Sequence, residues 1–195
     1  MVYSSRIDNQ TLTFGVSGRL YKSNVLIYDH QTESLWSQLK ETAIAGPMVG
    51  KRLTKISAGR TSWKRWLEKH PGTRVLSTDT GYARNYSVDP YEGYYKAMRI
   101  MFPVGDVRRE LPAKEMVLGI EIDGTAKAYP LSMFAQKADV FEDEIGENPI
   151  RIVLSEEGQI VDVLDHQARS IPVIFAYWFA WQAFHPQTMV YTQTQ

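Results

Sequence analysis

One thirteen-residue pattern, W-x-x-W-x-x-x-H-P-x-T-x-V, occurs twice in this chain and constrains its fold more than any other feature. It runs from Trp63 to Val75 and again from Trp178 to Val190, an interval of 115 residues. The two occurrences use four of the five tryptophans in the chain, so chance is a poor explanation. The pattern predicts an internal duplication, in which one structural unit is used twice.

The pattern has the spacing of a short amphipathic helix. Four side chains of the first occurrence fall at i, i+3, i+4 and i+7 and therefore share one helical face: Trp63, Trp66, Leu67 and His70. The pair Thr61-Ser62 offers an N-cap. Pro71 ends the helix, because the residue before a proline is pushed out of the helical region. The second occurrence is more apolar, and we expect its helix to be the buried one.

Most of the remaining chain has the character of short β-strands separated by turn residues. The strand-like segments are Val2 to Phe14 around a turn at Asp8-Asn9, Tyr21 to Tyr28, Leu53 to Ser57, Arg74 to Ser77, Val117 to Tyr129 around Asp123-Gly124, Ile150 to Leu164 around Glu156-Glu157-Gly158, and Ile171 to Phe175. Pro130 to Gln136 has the composition of a short helix with proline in its first turn.

These segments predict an α+β fold that is mainly antiparallel β, with two divergent copies of a strand-rich unit that each carry one short W-x-x-W helix. We expect a single globular domain over residues 1–195. The first copy covers about residues 1–103 together with a Tyr-rich loop, and the second covers residues 113–195.

Composition removes several classes of function. Lys plus Arg and Asp plus Glu both number 22, so no net charge attracts nucleic acid or an anionic membrane. No apolar run is long enough to span a bilayer, and no signal peptide is visible, so the residues indicate no compartment. The chain has no cysteine, which excludes disulfides and thiolate chemistry. No motif indicates a cofactor or a metal.

The segment from Asp79 to Tyr95 is the strongest candidate site. It holds five tyrosines in seventeen residues and follows neither a helical nor a strand period. Long loops of this kind are often functional. The candidate ligand-binding residues are Asp79, Tyr82, Arg84, Tyr86, Asp89 and Tyr91. Aromatic faces beside carboxylates and an arginine suit a sugar, a nucleoside-like ring or an organic cation.

Two functions fit this loop. The first is a non-enzymatic small-molecule binding or scaffold protein that uses residues 79–95. The alternative is a hydrolase-type or carbohydrate-active enzyme, in which Asp79 or Asp89 acts as acid/base and Arg84 holds an anion. A loop that is only locked over the core by tyrosine stacking and an Arg–Asp pair is the structural alternative to both.

Two other groups contain residue types that are found in metal sites or catalytic triads. His70 and His185 hold equivalent positions in the repeated pattern, and we interpret both as C-terminal helix caps rather than metal ligands. Tyr28, Asp29, His30, Thr32 and Ser34 contain a nucleophile, a base and an acid. Adjacency along the chain is not how such triads are built, so we interpret this group as a polar turn.

Several strings of the chain resemble a known family. They are residues 12–18 (LTFGVSG), 28–38 (YDHQTESLWSQ), 76–86 (LSTDTGYARNY), 89–91 (DPY), 117–131 (VLGIEIDGTAKAYPL) and 178–186 (WFAWQAFHP). In order, and over nearly the whole chain, they resemble bacterial and archaeal proteins that carry domain of unknown function 3179. The resemblance implies no biochemical activity.

The resemblance also implies that longer members have a T-Y-C-P-L-C segment and a further hairpin of the type at residues 119–131, both upstream of the strand that matches Val2 to Asp8. Neither is present in this sequence, so we expect no chemistry of a cysteine pair. We also expect an open sheet edge where such strands would lie. An open edge permits self-association or pairing with another chain.

Overall fold

Short antiparallel strands dominate the architecture, in a computed structural model that describes residues 1–134, 140–155 and 159–192. The first strands are β1 (Arg6–Ile7), β2 (Gln10–Thr11), β3 (Phe14–Tyr21), β4 (Asn24–Asp29), β5 (Leu35–Ser37) and β6 (Thr42–Ala45). Strands β1 and β2 form the predicted hairpin, with Asp8 at a φ of 53° in its turn. Strands β3 to β6 follow as an antiparallel meander in chain order, so β3 lies at an edge.

The middle of the chain contains two short helices, α1 (Trp63–Lys69) and α2 (Glu92–Lys96). The Ser62 hydroxyl accepts a hydrogen bond from the Arg65 N–H, which confirms the predicted N-cap of α1. His70 is the C-cap residue, directly before Pro71. None of the residues in α1 is buried.

The C-terminal half forms two sheets. Its elements are β7 (Met116–Ile122), β8 (Thr125–Pro130), a 3-10 helix (Leu131–Phe134), β9 (Val140–Ile145), β10 (Asn148–Leu154), β11 (Ile160–Asp165), β12 (Ile174–Tyr177), α3 (Trp178–Phe184) and β13 (Met189–Val190). The order of one sheet is β12-β7-β8-β13, with β13 parallel to β8, and the order of the other is β11-β10-β9. Asp123 and Gly124 have φ values of 50° and 79°, the left-handed pair that a two-residue β7–β8 hairpin requires.

The core is divided between the two halves. In the first half it surrounds Trp36, which is fully buried among Ile7, Leu12 and Leu53. In the second half, one cluster lies between α3 and the β12-β7-β8-β13 sheet, and its largest members are Trp178 and Trp181. The prediction that the second W-x-x-W helix is the buried one is therefore correct.

The α+β, mainly antiparallel prediction is confirmed, but two predicted strands are absent. Residues 53–57 contribute only an isolated bridge between Lys55 and Tyr3, and residues 74–77 form no strand. A strand exists only where another strand pairs with it, and the described part of the chain offers residues 74–77 no partner. The predicted helix at Pro130 to Gln136 is the 3-10 helix as far as Phe134. Residues 135 and 136, like the turn at Glu156 to Gly158, lie outside the described residues.

Candidate functional site

The Tyr-rich loop lies on the surface between α1 and β7. Every residue from 74 to 93 is exposed, so the loop does not cover the core as the structural alternative required. Tyr82 is 73% exposed and Tyr91 58%. Large apolar side chains are also exposed just after the loop, where Met98 is 96% exposed.

Short-range contacts order the loop. The Arg84 guanidinium lies 6.0 Å from the centre of the Tyr82 ring. The Tyr86 hydroxyl and the Thr80 hydroxyl are 2.6 Å apart and share a hydrogen bond. These contacts join residues that are close in sequence, and they leave the aromatic faces open to solvent.

The two candidate carboxylates have different surroundings. Asp89 accepts a hydrogen bond of 2.8 Å from the Tyr91 N–H, and its carboxylate lies near the Tyr95 hydroxyl. Partial burial and the nearby Asp89 charge raise the pKa of Tyr95. Asp79 is held at its backbone, where its N–H donates to the Ser77 hydroxyl at 3.0 Å. Within the described chain, no ion pair joins Arg84 to either aspartate, so the Arg–Asp pair of the structural alternative is absent.

One lysine fixes the end of the loop to the second half. Lys114 donates to the carbonyl oxygens of Tyr94 and Ala97, both at 2.5 Å. Its ammonium group also lies 3.5 Å from the centre of the Tyr94 ring. No local sequence pattern indicates this contact, because Lys114 and Tyr94 are twenty residues apart. It places α2 beside the start of β7.

The two W-x-x-W helices share one set of local contacts. In α1 the Trp66 indole N–H donates to the Thr73 hydroxyl at 2.9 Å, and the His70 ring lies 4.1 Å from the Trp66 ring. In α3 the corresponding bond is present: the Trp181 indole N–H donates to the Thr188 hydroxyl at 2.9 Å. The His185 ring lies 3.9 Å from the Trp181 ring. The repeated Thr therefore serves as the acceptor for the second Trp, a role that the sequence pattern alone did not reveal.

Both histidines close their helices through the backbone rather than the side chain. The His70 N–H donates to the Trp66 carbonyl at 2.8 Å and the His185 N–H to the Trp181 carbonyl at 3.0 Å. The predicted capping position is correct, but each imidazole lies against an indole: the His185 ring stacks on Trp181, and the His70 ring is tilted against Trp66. No group of three or more His, Asp or Glu residues in the described part of the chain has the arrangement of a metal site.

His185 also contacts a carboxylate that sequence reasoning missed. Its Nδ1 is 3.5 Å from the Glu121 carboxylate, while its Nε2 is buried and has no hydrogen-bond partner among the described residues. Burial lowers the pKa of His185, Glu121 opposes this effect, and Lys55 adds to it. An imidazole that is buried and stacked on Trp181 fits a structural role.

The group from Tyr28 to Ser34 is a polar turn, as predicted, in which Asp29 and Ser34 are buried while His30, Gln31 and Glu33 are exposed. The Asp29 carboxylate is fully buried and accepts hydrogen bonds from the Trp36 indole at 2.9 Å and from the Thr32 N–H and hydroxyl. Burial raises the pKa of Asp29, but the hydrogen bonds from Trp36 and Thr32 outweigh it and hold the pKa below its usual value. The Trp36 bond ties β4 to β5 and the Thr32 bonds hold the turn between them, which is a folding role.

Among the described residues, none of the helices has the length and apolar character that crossing a membrane requires. No match to this chain was found among curated proteins or among solved structures. Residues 1–170 match the family model described as protein of unknown function (DUF3179). This match covers most of the chain and agrees with the resemblance of its motifs, so the chain belongs to the DUF3179 family of proteins of unknown function.

Proposed function

We propose that this chain is a non-enzymatic binding or scaffold protein and that the Tyr-rich loop at residues 79–95 is its contact surface. The observation that carries the proposal is the exposure of the aromatic side chains in an ordered loop, with Tyr82 at 73%, Tyr86 at 48% and Tyr91 at 58%. Tyrosine supplies a large contact area with few rotatable bonds, and it is enriched in protein interfaces. Exposed apolar groups clustered in this way mark interaction sites.

The form of the loop favours a macromolecular partner over a small molecule. Small-molecule sites are concave and enclose most of their ligand. Asp79, Tyr82, Arg84, Tyr86, Asp89 and Tyr91 are instead all exposed. Arg84, beside the Tyr82 ring, adds a cation that suits an acidic or aromatic group on the partner.

The enzymatic alternative has less support. An acid/base carboxylate is normally held in a cleft beside the bound substrate. Asp89 instead accepts the Tyr91 N–H two residues along, in the manner of a turn-forming aspartate, and Asp79 is exposed.

We also propose that the two halves are divergent copies of one unit within a single domain. Support comes from the shared contacts of Trp66 with Thr73 and of Trp181 with Thr188. Contact between the halves supports the single domain, since the Lys22 ammonium donates to the Ala183 carbonyl at 2.5 Å. Self-association is a further proposal. It would use β3, an edge strand that carries the 73% exposed Val16.

A capture and titration experiment tests the loop. The whole protein serves as bait in an extract of its host, and each retained protein is purified and titrated by calorimetry. The double variant Tyr82→Ser/Tyr86→Ser should bind at least about tenfold more weakly, the loss expected for interface aromatics. Val16→Ser is the matched control, because it removes an equally exposed apolar side chain from another surface. Equal binding by the double variant, or no partner retained by the wild type, contradicts the proposal.

A thermal-shift panel of sugars, nucleotides and organic cations decides the kind of ligand. Stabilisation of the wild type that is lost in Arg84→Ala would replace the macromolecular partner with a small molecule. Light scattering at rising concentration tests self-association, which Val16→Lys should prevent by placing a charge on the β3 edge.

A further inference from the structure

A cavity of about 310 Å³ separates residues 60–62 from the C-terminal half of the chain. The 3-10 helix, β11 and β12 supply its apolar walls, which consist of Leu131, Phe134, Ile160 and Phe175. Phe134 is 1% exposed and Ile160 5%, so the floor of the cavity is part of the hydrophobic core. An apolar cavity of about 150 Å³ holds one benzene molecule. The volume here therefore accommodates one aromatic ring with a short side chain.

The rim of the cavity is polar and open to solvent. Arg60, Thr61 and Gln159 line it and are exposed, and Ser62 is half-buried beside them. The Arg60 guanidinium lies 5.5 Å from the centre of the Phe175 ring, so a cation is held directly beside the aromatic wall. A concave site with apolar walls and a few polar groups at one end is the usual form of a small-molecule site.

Contacts between the two halves position the walls of the cavity. Gly59 lies so close to β11 that a Cβ would fall 2.7 Å from the Val161 carbonyl oxygen. The Ser57 hydroxyl donates to the Ile171 carbonyl at 3.4 Å. This segment is therefore fixed against the second half, and the N-cap fixes the start of α1. Because the fold itself holds both walls, a ligand would order little additional chain on binding.

The charges at the rim favour an anion. Within the described part of the chain, Arg60 has no ion-pair partner. Residues 60–74 contain five Lys or Arg residues and one acidic residue, so the surroundings of the rim are positive. A guanidinium matches the planar, bidentate geometry of a carboxylate. The Ser62 hydroxyl already accepts the Arg65 N–H, which leaves its own proton for a second oxygen of the ligand.

We propose that this cavity binds a small monocarboxylate that carries one aromatic ring, with the ring against Phe134 and Phe175 and the carboxylate on Arg60. Burial of the ring supplies most of the affinity, and aromatic pairs add to it. The single guanidinium matches a single negative charge, and its fork sets the orientation of the ligand. The cavity shares no described residue with the Tyr-rich loop, so the inference stands independently of the proposed function.

The probe is phenylpropanoate, which has one ring, a short linker and one carboxylate. It is titrated by calorimetry into the full chain, and we expect one molecule to bind per chain. Arg60→Gln should weaken binding at least about tenfold, because it removes a charge-assisted pair. Arg60 is exposed, so this variant should fold, which circular dichroism checks. Arg84→Gln is the matched control, since it removes another exposed guanidinium that lies beside an aromatic ring, and it should bind as the wild type does.

Two further measurements locate the site and its charge preference. In methyl NMR spectra the signals of Leu131 and Ile160 should shift on titration, while that of Val16 on the β3 edge should not. Phenylpropanamide, which has no charge, should bind at least about tenfold more weakly than the carboxylate. Equal binding by Arg60→Gln or of the amide, unshifted Leu131 and Ile160 signals, or no saturable binding up to about 10 mM probe overturns the inference. Tighter binding of phenyl phosphate than of phenylpropanoate would assign the rim to phosphates and also overturn it.

Discussion

The indole ring of Trp181 rests on the backbone of Gly119, so close that a Cβ at residue 119 would lie 2.4 Å from two ring carbons. This contact seats α3 on β7, and Trp181 is 1% exposed as a result. Glycine is required at this position by space alone, since residue 119 lies inside a regular strand.

The first prediction follows from that contact. Gly119→Ala should lower the free energy of unfolding by about 1–3 kcal/mol, because the new methyl group forces Trp181 or β7 to move. Gly72→Ala is the control, since a Cβ there meets nothing within 4 Å and its φ is not in the left-handed region. Urea unfolding measures both. A Gly119→Ala protein as stable as Gly72→Ala would contradict the packing of Trp181 on β7.

The two threonine acceptors give a second, matched prediction. Thr188 is 2% exposed, so Thr188→Val would leave the buried Trp181 N–H without a partner and should cost about 1–3 kcal/mol. Thr73→Val removes the same bond beside an exposed indole, which water can satisfy, and should change stability by less than about 0.5 kcal/mol. Equal losses in urea unfolding would show that α1 is as well covered as α3.

A third prediction concerns pH. Burial lowers the pKa of His185 below the value of about 6.5 expected in the unfolded chain. As pH falls through this value, the unfolded chain takes up a proton that the folded chain does not. The free energy of unfolding therefore falls, until the pH passes the lower folded pKa.

The free energy of unfolding should fall by at most about 1.4 kcal/mol for each unit of decrease in pH. Urea unfolding from about pH 8 to 5 measures this slope. His185→Gln should remove this slope. His70→Gln, at the corresponding position of the exposed helix, should retain it. A wild-type slope in His185→Gln would assign the titration to another group.

A fourth prediction separates structural from exposed aspartates. Asp29→Asn replaces the charged acceptor of the Trp36 indole N–H with a weaker one and can place an amide donor against that N–H. The free energy of unfolding should therefore fall by about 1.5–3 kcal/mol. Asp79→Asn, on the exposed loop, should lie within about 0.5 kcal/mol of the wild type. Because hydrogen bonds hold the pKa of Asp29 low, its contribution is present above about pH 4 and is lost only as pH falls further. An unaltered Asp29→Asn protein would contradict the bonding of this turn.

Local patterns predicted much of this fold. The Asp123-Gly124 turn, the N-cap at Ser62 and the buried second helix follow from residue types at fixed spacings. The β-forming composition of residues 74–77 predicts a strand, but composition says nothing about whether a neighbouring strand exists. The fit of Trp181 to Gly119 depends on pairs distant in sequence, and no local pattern encodes such a pair.

The sequence predicts which residues make up the candidate site, but not which of their side chains contact one another. The sequence located the tyrosines and the arginine but left the partner of Arg84 open, and in the structure Arg84 lies beside Tyr82. A single sequence does not encode side-chain partners in a loop without a period, because many local pairings have similar energies. The Lys114 contacts with Tyr94 and Ala97 arise from the folded arrangement of α2 and β7.

The unequal burial of the two W-x-x-W helices also determines the optical behaviour of the chain. Trp36, Trp178 and Trp181 are in the interior, while Trp63 and Trp66 face water. Fluorescence emission should therefore contain a blue component from the first three indoles and a red component from α1. Iodide should quench only the red component. Any molecule that covers α1 would shift and protect that emission, so the chain carries its own unlabelled reporter of occupancy.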